Sequence, residues 1–280
     1  MILTILTDLK EKGMEYGALN TFWQKFQGFY QPVSKIGAVE IMPNNRRTYE
    51  QCIAVLRHFF TKGVGPRAPL KGFLFEGPPG TGKTELVKQI ARASREWITG
   101  SDGEPILLFL DGASIASPKW GDAEDILRAA FHFCHFLKEK EGITEPKVIL
   151  LFDDIESLML ARSSGIAKEW HFSINAVLFH ELDTLEASNT FVFATSNRPD
   201  LVDEALRDRL YSIKFALPNK DSLMEVAKQR IRDMGDISQQ DQFEILKVIE
   251  QEIDQEQSLT IRDVERLVII QCVERGVWEL

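Results

Sequence analysis

The sequence predicts an α/β fold: a parallel sheet sandwiched by helices, followed by a small all-helical segment. Three observations predict it. Near-continuous apolar runs recur at Gly72–Phe75, Ile106–Leu110, Val148–Phe152 and Phe191–Thr195. Each is short enough for a strand and too uniformly apolar to face water on either side, which is the pattern of buried parallel strands. Stretches with helical spacing separate these runs, so the connections read as crossover helices. After Pro218 the strand-like runs stop and only helical periodicity remains.

Length and composition set the bounds. The 280 residues suffice for one α/β unit of ordinary size and a small second one. With 44% hydrophobic and 27% charged residues, the chain can bury a full core. The net charge of −9 argues against broad capture of nucleic acid, which needs a basic face. Cys52, Cys134 and Cys272 lie far apart in apolar surroundings without metal-ligand spacing. They read as reduced core thiols of a cytoplasmic protein. No run approaches the 18 apolar residues of a membrane span, and Asp8, Lys10 and Glu11 interrupt the opening stretch, so no signal peptide is expected.

Residues 1–36 form an expected N-terminal extension rich in aromatics, among them Tyr16, Phe22, Trp23, Phe26, Phe29 and Tyr30. Their spacing fits either a helix packed on the body or a docking surface. Pro43-Asn44-Asn45 breaks the chain, and a helix is expected from about Thr48 to Phe60, with Cys52, Val55, Leu56 and Phe59 inward. Strands are expected at 106–110, 148–152 and 191–195, with helices at 122–138 and 169–183, and a short last strand at 213–215. Helices at about 221–234, 239–254 and 260–275 complete the chain. The expected divisions are therefore 1–36, 37–217 and 218–280.

Gly77-Pro78-Pro79-Gly80-Thr81-Gly82-Lys83-Thr84 fits the P-loop pattern G-x-x-x-x-G-K-[ST]. The strand at Gly72–Phe75 comes before it. A helical pattern follows, with Leu86, Val87, Ile90, Ala91 and Trp97 on one side. That context makes this a P-loop NTPase sheet. The glycines let successive N–H groups converge on one anion, and the following helix adds its positive end. Pro79, Gly80, Thr81, Gly82 and Glu85 line the expected ATP phosphate site. Lys83 supplies a charge for the β- and γ-phosphates, and the Thr84 hydroxyl suits Mg²⁺.

The run at 148–152 ends in Asp153-Asp154, so a buried strand delivers two carboxylates to the ligand edge of the sheet. This is the Walker B arrangement. Asp153 suits Mg²⁺, and Asp154 is placed to polarise the attacking water. Asn197, after the next strand, is a candidate to orient that water or to touch the γ-phosphate. Arg207 and Arg209 read either as a surface pair or as arginine fingers reaching a neighbouring site.

The chain from about residue 37 onward resembles an AAA+ ATPase of the classical AAA clade. The resemblance rests on GPPGTGKT, ILLFDDIESL, NAVLFHELD, ATSNRPDLVDEALRDRL and the helical tail, in that order and spacing. It implies a helical lid, a homo-oligomeric ring that is usually a hexamer, and sites shared between subunits. It implies that Asn197 is sensor 1, that Arg209 is the finger with Arg207 as an alternative, and that Asp183 belongs to an intersubunit signalling segment. Arg262 falls at sensor 2, and also reads as a solvated first-turn residue. Lys119-Trp120-Gly121 aligns with the pore loop that grips a protein client, although Trp120 packed under its own loop fits as well. Glu156-Ser157-Leu158, Asn175–Leu178 and Thr195–Asn197 also resemble the HORMA-remodelling members.

Three departures from the family pattern bear on function. Asp154 stands where the family usually has Glu, which withdraws the carboxylate by roughly 1–1.5 Å, and misplacement on that scale slows chemistry strongly. The finger segment is shorter than usual, and the N-terminal piece is too small for a large recruitment domain. The expected function is ATP hydrolysis coupled to remodelling or unfolding of a protein client. The alternatives are a slow or non-hydrolysing regulatory scaffold and a nucleic-acid loader.

Overall fold

The computed structural model describes residues 28–62, 70–98, 105–115, 121–139, 147–159, 169–185, 189–235, 237–256 and 258–277. Residues 1–27, most of the expected extension, lie outside the described residues, as do Lys119 and Trp120.

Six strands form one sheet among the described residues: β1 (Tyr30–Pro32), β2 (Gly72–Glu76), β3 (Ile106–Asp111), β4 (Val148–Asp153), β5 (Thr190–Ser196) and β6 (Tyr211–Lys214). Their spatial order is β1-β3-β4-β5-β2-β6. Strands β2 to β6 are all parallel. Strand β1 runs antiparallel to β3, with Tyr30 opposite Leu108. It corrects the reading of Tyr30 as part of an aromatic helix or docking face. Three residues are too few for an alternating pattern to show. Pro32 closes the strand at the sheet edge, where its missing N–H costs nothing.

Burial on both faces explains the unbroken apolar runs. Leu74, Leu108, Leu150 and Val192 point into one cluster with helices α3 (Asp122–Glu139) and α4 (Glu169–Thr184). Phe73, Phe75, Leu107, Phe191 and Phe193 point into the other, under α1 (Pro43–Lys62) and α2 (Lys83–Ile98). The second cluster is aromatic. Phe73 and Phe191 lie 5.4 Å apart between ring centroids, and Phe75 and Phe193 lie 5.7 Å apart.

Helix α1 starts at Pro43, five residues before the expected Thr48. Pro43 does not break it, because proline's fixed φ suits the first helical turn, where its N–H has no partner to lose. The early start carries Asn45 to the phosphate loop, where its Nδ2 donates to the Thr81 carbonyl at 3.1 Å.

After β6 the chain forms α5 (Lys220–Asp233), α6 (Gln239–Gln255) and α7 (Ile261–Glu274). Asn219, Ser238 and Thr260 cap their first turns through side-chain oxygens. The three helices share a separate core that includes Val226, Ile245, Ile249, Val264 and Val268. Met42, just before α1, packs into that core and ties it to the α/β body. No helix among the described residues is long and apolar enough to cross a membrane.

Candidate functional site

The strand order decides where the chemistry gathers. Strand β5 lies between β2 and β4, so Asn197, the residue after β5, sits between the phosphate loop and the paired aspartates. Register sharpens this, because Glu76 aligns with Ser196 and Asp111 with Asp153. Parallel strands therefore end level on one edge, where ligands of such sheets bind.

The phosphate loop, residues 77–82, joins β2 to α2. Gly80 and Gly82 have φ of +71° and +87°, which residues with a Cβ rarely adopt. The Lys83 side chain is buried. Its Nζ donates to the carbonyls of Gly77 and Pro78, at 2.8 and 2.7 Å, and to Asn197 Oδ1 at 2.7 Å. Burial lowers the Lys83 pKa to about 8, against the pull of Asp154, Glu156 and Asp153. The Thr81 hydroxyl turns back to the Pro78 carbonyl at 3.0 Å.

Asp153 ends β4. Its Oδ1 accepts from the hydroxyls of Thr84 and Thr195, each at 2.6 Å. Among the described residues, no three Asp, Glu, His or Cys side chains gather as a metal cage. One carboxylate beside one hydroxyl, under a phosphate loop, is the donor set of a Mg²⁺ that arrives with phosphate and keeps several waters. The residues present therefore fit such an ion.

Asp154 has φ of +50° and ψ of +54°, in the left-handed region. Aspartate tolerates that region better than most residues because its short side chain bonds locally. The Thr195 hydroxyl receives the Asp154 N–H at 3.1 Å, which pins the turn. The left-handed turn brings the shortened carboxylate against Asn197, whose Nδ2 donates to Asp154 Oδ1. The Asp154 pKa is raised, first by burial and then by Asp153 and Glu156, with Lys83 opposing.

The cleft above these groups encloses about 590 Å³. Pro79, Gly80, Gly82, Lys83, Thr84 and Glu85 line it from the loop side, and Asp153, Asp154 and Asn197 line it from the sheet. From the helical tail come Gln229, Arg230 and Arg262. Arg262 thus faces the cleft from the start of α7, and its charge reaches Lys83. Glu85 accepts from Gln89 Nε2 at 2.7 Å, and the same amide nitrogen donates to the Gly37 carbonyl at 2.8 Å.

The two arginines lie elsewhere. Arg209 forks onto Asp183 with both bonds at 2.8 Å and lies over the Phe179 ring at 4.8 Å. Arg207 pairs with Glu76 in its own subunit. Neither lines the cleft. Gly121, with φ of +93°, opens α3, while Lys119 and Trp120 lie outside the described residues.

Three site residues escaped the sequence reading. Glu156 Oε1 accepts the Asn197 N–H at 2.9 Å, and its Oε2 is buried without a partner among the described residues. The sequence placed it in two family-like segments, ILLFDDIESL and Glu156-Ser157-Leu158, without marking it as a site residue. Glu76 and Asn45 carried none, because their partners are remote in sequence.

Comparison with known proteins agrees with this geometry. Residues 73–217 match the family model "ATPase family associated with various cellular activities (AAA)". A "Proteasome-associated ATPase" of Nocardioides sp. is 33% identical over 159 residues, covering 55% of this chain and 26% of that protein. An "AAA ATPase forming ring-shaped complexes" of Micrococcus luteus is 35% identical over 161 residues, covering 56% of this chain and 26% of that protein. The chain thus spans about a quarter of the length of these relatives. Among solved structures, a chain of the E. coli MS115-1 HORMA:CdnC:Trip13 complex superposes with a TM-score of 0.66 at 16% identity, over 84% of this chain and 83% of that one. The FIGL-1 AAA domain in complex with ADP gives 0.65 at 20% identity, over 92% and 80%. At these identities the likeness is one of fold.

Proposed function

This chain belongs to the AAA family of ATPases, and from that membership we propose that it hydrolyses ATP within a homo-oligomeric, hexameric ring and remodels a protein client. One observation carries the reading. Lys83, Thr84, Asp153, Asp154 and Asn197 come from three separate stretches and meet at one cleft through direct hydrogen bonds.

Each residue has a role in that reading. Lys83 turns its ammonium from the loop carbonyls to the β- and γ-phosphates. Thr84 and Asp153 would hold Mg²⁺, which when bound would supply charge neutralisation. Asp154 takes the proton of the attacking water, and Asn197 orients that water. Arg209, as the proposed finger, stabilises charge on a neighbour's nucleotide. Residues 218–280 serve as the lid, and Arg262 brings it onto the nucleotide. Lys119-Trp120-Gly121 is proposed to grip the client. The ring reading is supported by the M. luteus relative's name, and the protein-client reading by the HORMA complex of the solved neighbour.

A second reading follows from Asp154. Its carboxylate is short and already engaged by Asn197, which suits a ring that binds ATP, turns over slowly and switches a partner by shape. The decisive experiment is ATPase rate against protein concentration for the parent, Arg209→Ala and Asp154→Asn. Hydrolysis at shared sites requires a rate per chain that climbs with concentration and is lost in both variants. No turnover where a ring is present refutes it in favour of the switch.

A further inference from the structure

Arg207 donates through every face of its guanidinium. Nε and Nη2 reach Glu76 Oε1 at 2.9 and 2.6 Å, Nη1 reaches the Val202 carbonyl at 3.2 Å, and Nη2 also reaches the Pro199 carbonyl. Glu76 is only 4% exposed, and Arg207 32%. Glu76 is the last residue of β2, directly before Gly77. The carbonyls of Gly77 and Pro78 hold the Lys83 ammonium. The residue after β6 braces the same root, since the Phe215 N–H donates to the Glu76 carbonyl at 2.7 Å.

We propose that Arg207 acts on its own subunit, as a positioning residue that fixes the root of the phosphate loop against the turn at Pro199–Val202. The inference rests on the nucleotide-binding reading and deepens it. The chain of contact runs from Arg207 to Glu76, through one peptide bond to Gly77, and from Gly77 to Lys83. Arg207 is therefore not free to reach a neighbour. Leaving Glu76 would strand a buried carboxylate without its counter-charge, which is strongly unfavourable. Arg209 differs, because its partner Asp183 is 55% exposed and can be solvated when released.

ADP separates the two roles, because it lacks the γ-phosphate that a finger touches. The assay is ADP affinity by titration calorimetry on dilute, unassembled protein, with melting temperature measured alongside. Variants are Glu76→Met combined with Arg207→Met, Arg207→Lys, and Arg198→Ala as an exposed control in the same segment. An apolar pair in place of a buried ion pair preserves folding in favourable cases. Arg207→Lys keeps the charge beside Glu76 but lacks the fork for three acceptors.

The proposal requires that the double variant bind ADP about tenfold more weakly than the parent, because a loop released at its root no longer presents its N–H groups in register. Arg207→Lys should fall between the two, and Arg198→Ala within twofold of the parent. Folded Arg207 variants with parental ADP affinity overturn the proposal. A parent that binds no ADP refutes the nucleotide reading itself, and this proposal with it, which is a separate and recognisable result.

Discussion

Gly80 is where the phosphate loop meets the helical tail, and Gly80→Ala is the sharpest test of that joint. With φ of +71°, a Cβ at this position costs roughly 1–2 kcal/mol in backbone strain. The added carbon would lie 2.6 Å from Thr260 Oγ1 and 2.8 Å from Thr260 Cβ, so one partner must move. Thr260 caps α7 reciprocally with Asp263, and the Ile261 N–H donates to the Gly80 carbonyl at 3.0 Å. Displacing that cap costs about 1 kcal/mol more. The sum, roughly 2–3 kcal/mol, corresponds to a 30- to 150-fold loss of nucleotide affinity if binding must restore the loop. Calorimetric titration with ADP measures it. Adding Thr260→Gly removes the obstructing side chain at a cap cost of only a few tenths of a kcal/mol and leaves the backbone strain in place, so the double variant should regain about three- to fivefold. A Gly80→Ala variant that binds like the parent, or a double variant no better than the single, refutes this account of the joint.

Further predictions follow from the same contacts. Glu156→Gln keeps an acceptor for the Asn197 N–H, whereas Glu156→Ala leaves that N–H unpaired at a cost of about 1–3 kcal/mol. Steady-state phosphate release should therefore fall about ten- to a hundredfold in Glu156→Ala and less than tenfold in Glu156→Gln, and equal losses would count against positioning through this bond. Burial pushes the Cys52 and Cys134 thiols up to about 12. Because an acid raised in the folded state is still protonated when the unfolded thiol has ionised, stability should hold up to about pH 8.5 and decline above it. Urea midpoints between pH 8 and 11 should show a shallower decline for Cys134→Ala than for the parent, and parallel slopes would refute the assignment. Ring formation, followed by sedimentation velocity, should shift to lower protein concentration with ATP, since a ligand bridging two subunits stabilises their contact. No shift would argue against a shared site.

The sequence made the contiguous parts of the site legible. Lys83 and Thr84 sit in a motif whose spacing is fixed by one loop, and Asp153 ends an apolar run too uniform to be anything but a buried strand. Asn197 was readable because it follows the next such run. Glu76 with Arg207 was not, because 131 residues separate them and neither has a local pattern. Long-range pairs of this kind are set by strand order, which propensity does not encode. Strand β1 was missed for a different reason, since three residues at an edge carry no period. The start of α1 at Pro43 was misplaced because proline ends a helix from inside but begins one from its first turn. The position of Asp154 was also hidden. Its length is visible in the sequence, but the left-handed backbone that turns it toward Asn197 is not.

The pairing of Arg209 with Asp183 has a consequence for assembly. In a lone subunit the fork of Arg209 already holds a carboxylate with the geometry that a phosphate would claim. In the proposed ring, the neighbour's nucleotide then acts as a competitor that trades one anion for another at the same guanidinium. The trade is close to balanced, because an exposed ion pair is worth about 0–1 kcal/mol. Asp183, once released, leaves its negative charge uncompensated only while the adjoining site holds its γ-phosphate. The proposed ring would thus report the fuel state of each site as a charge uncovered and neutralised in turn at its seams.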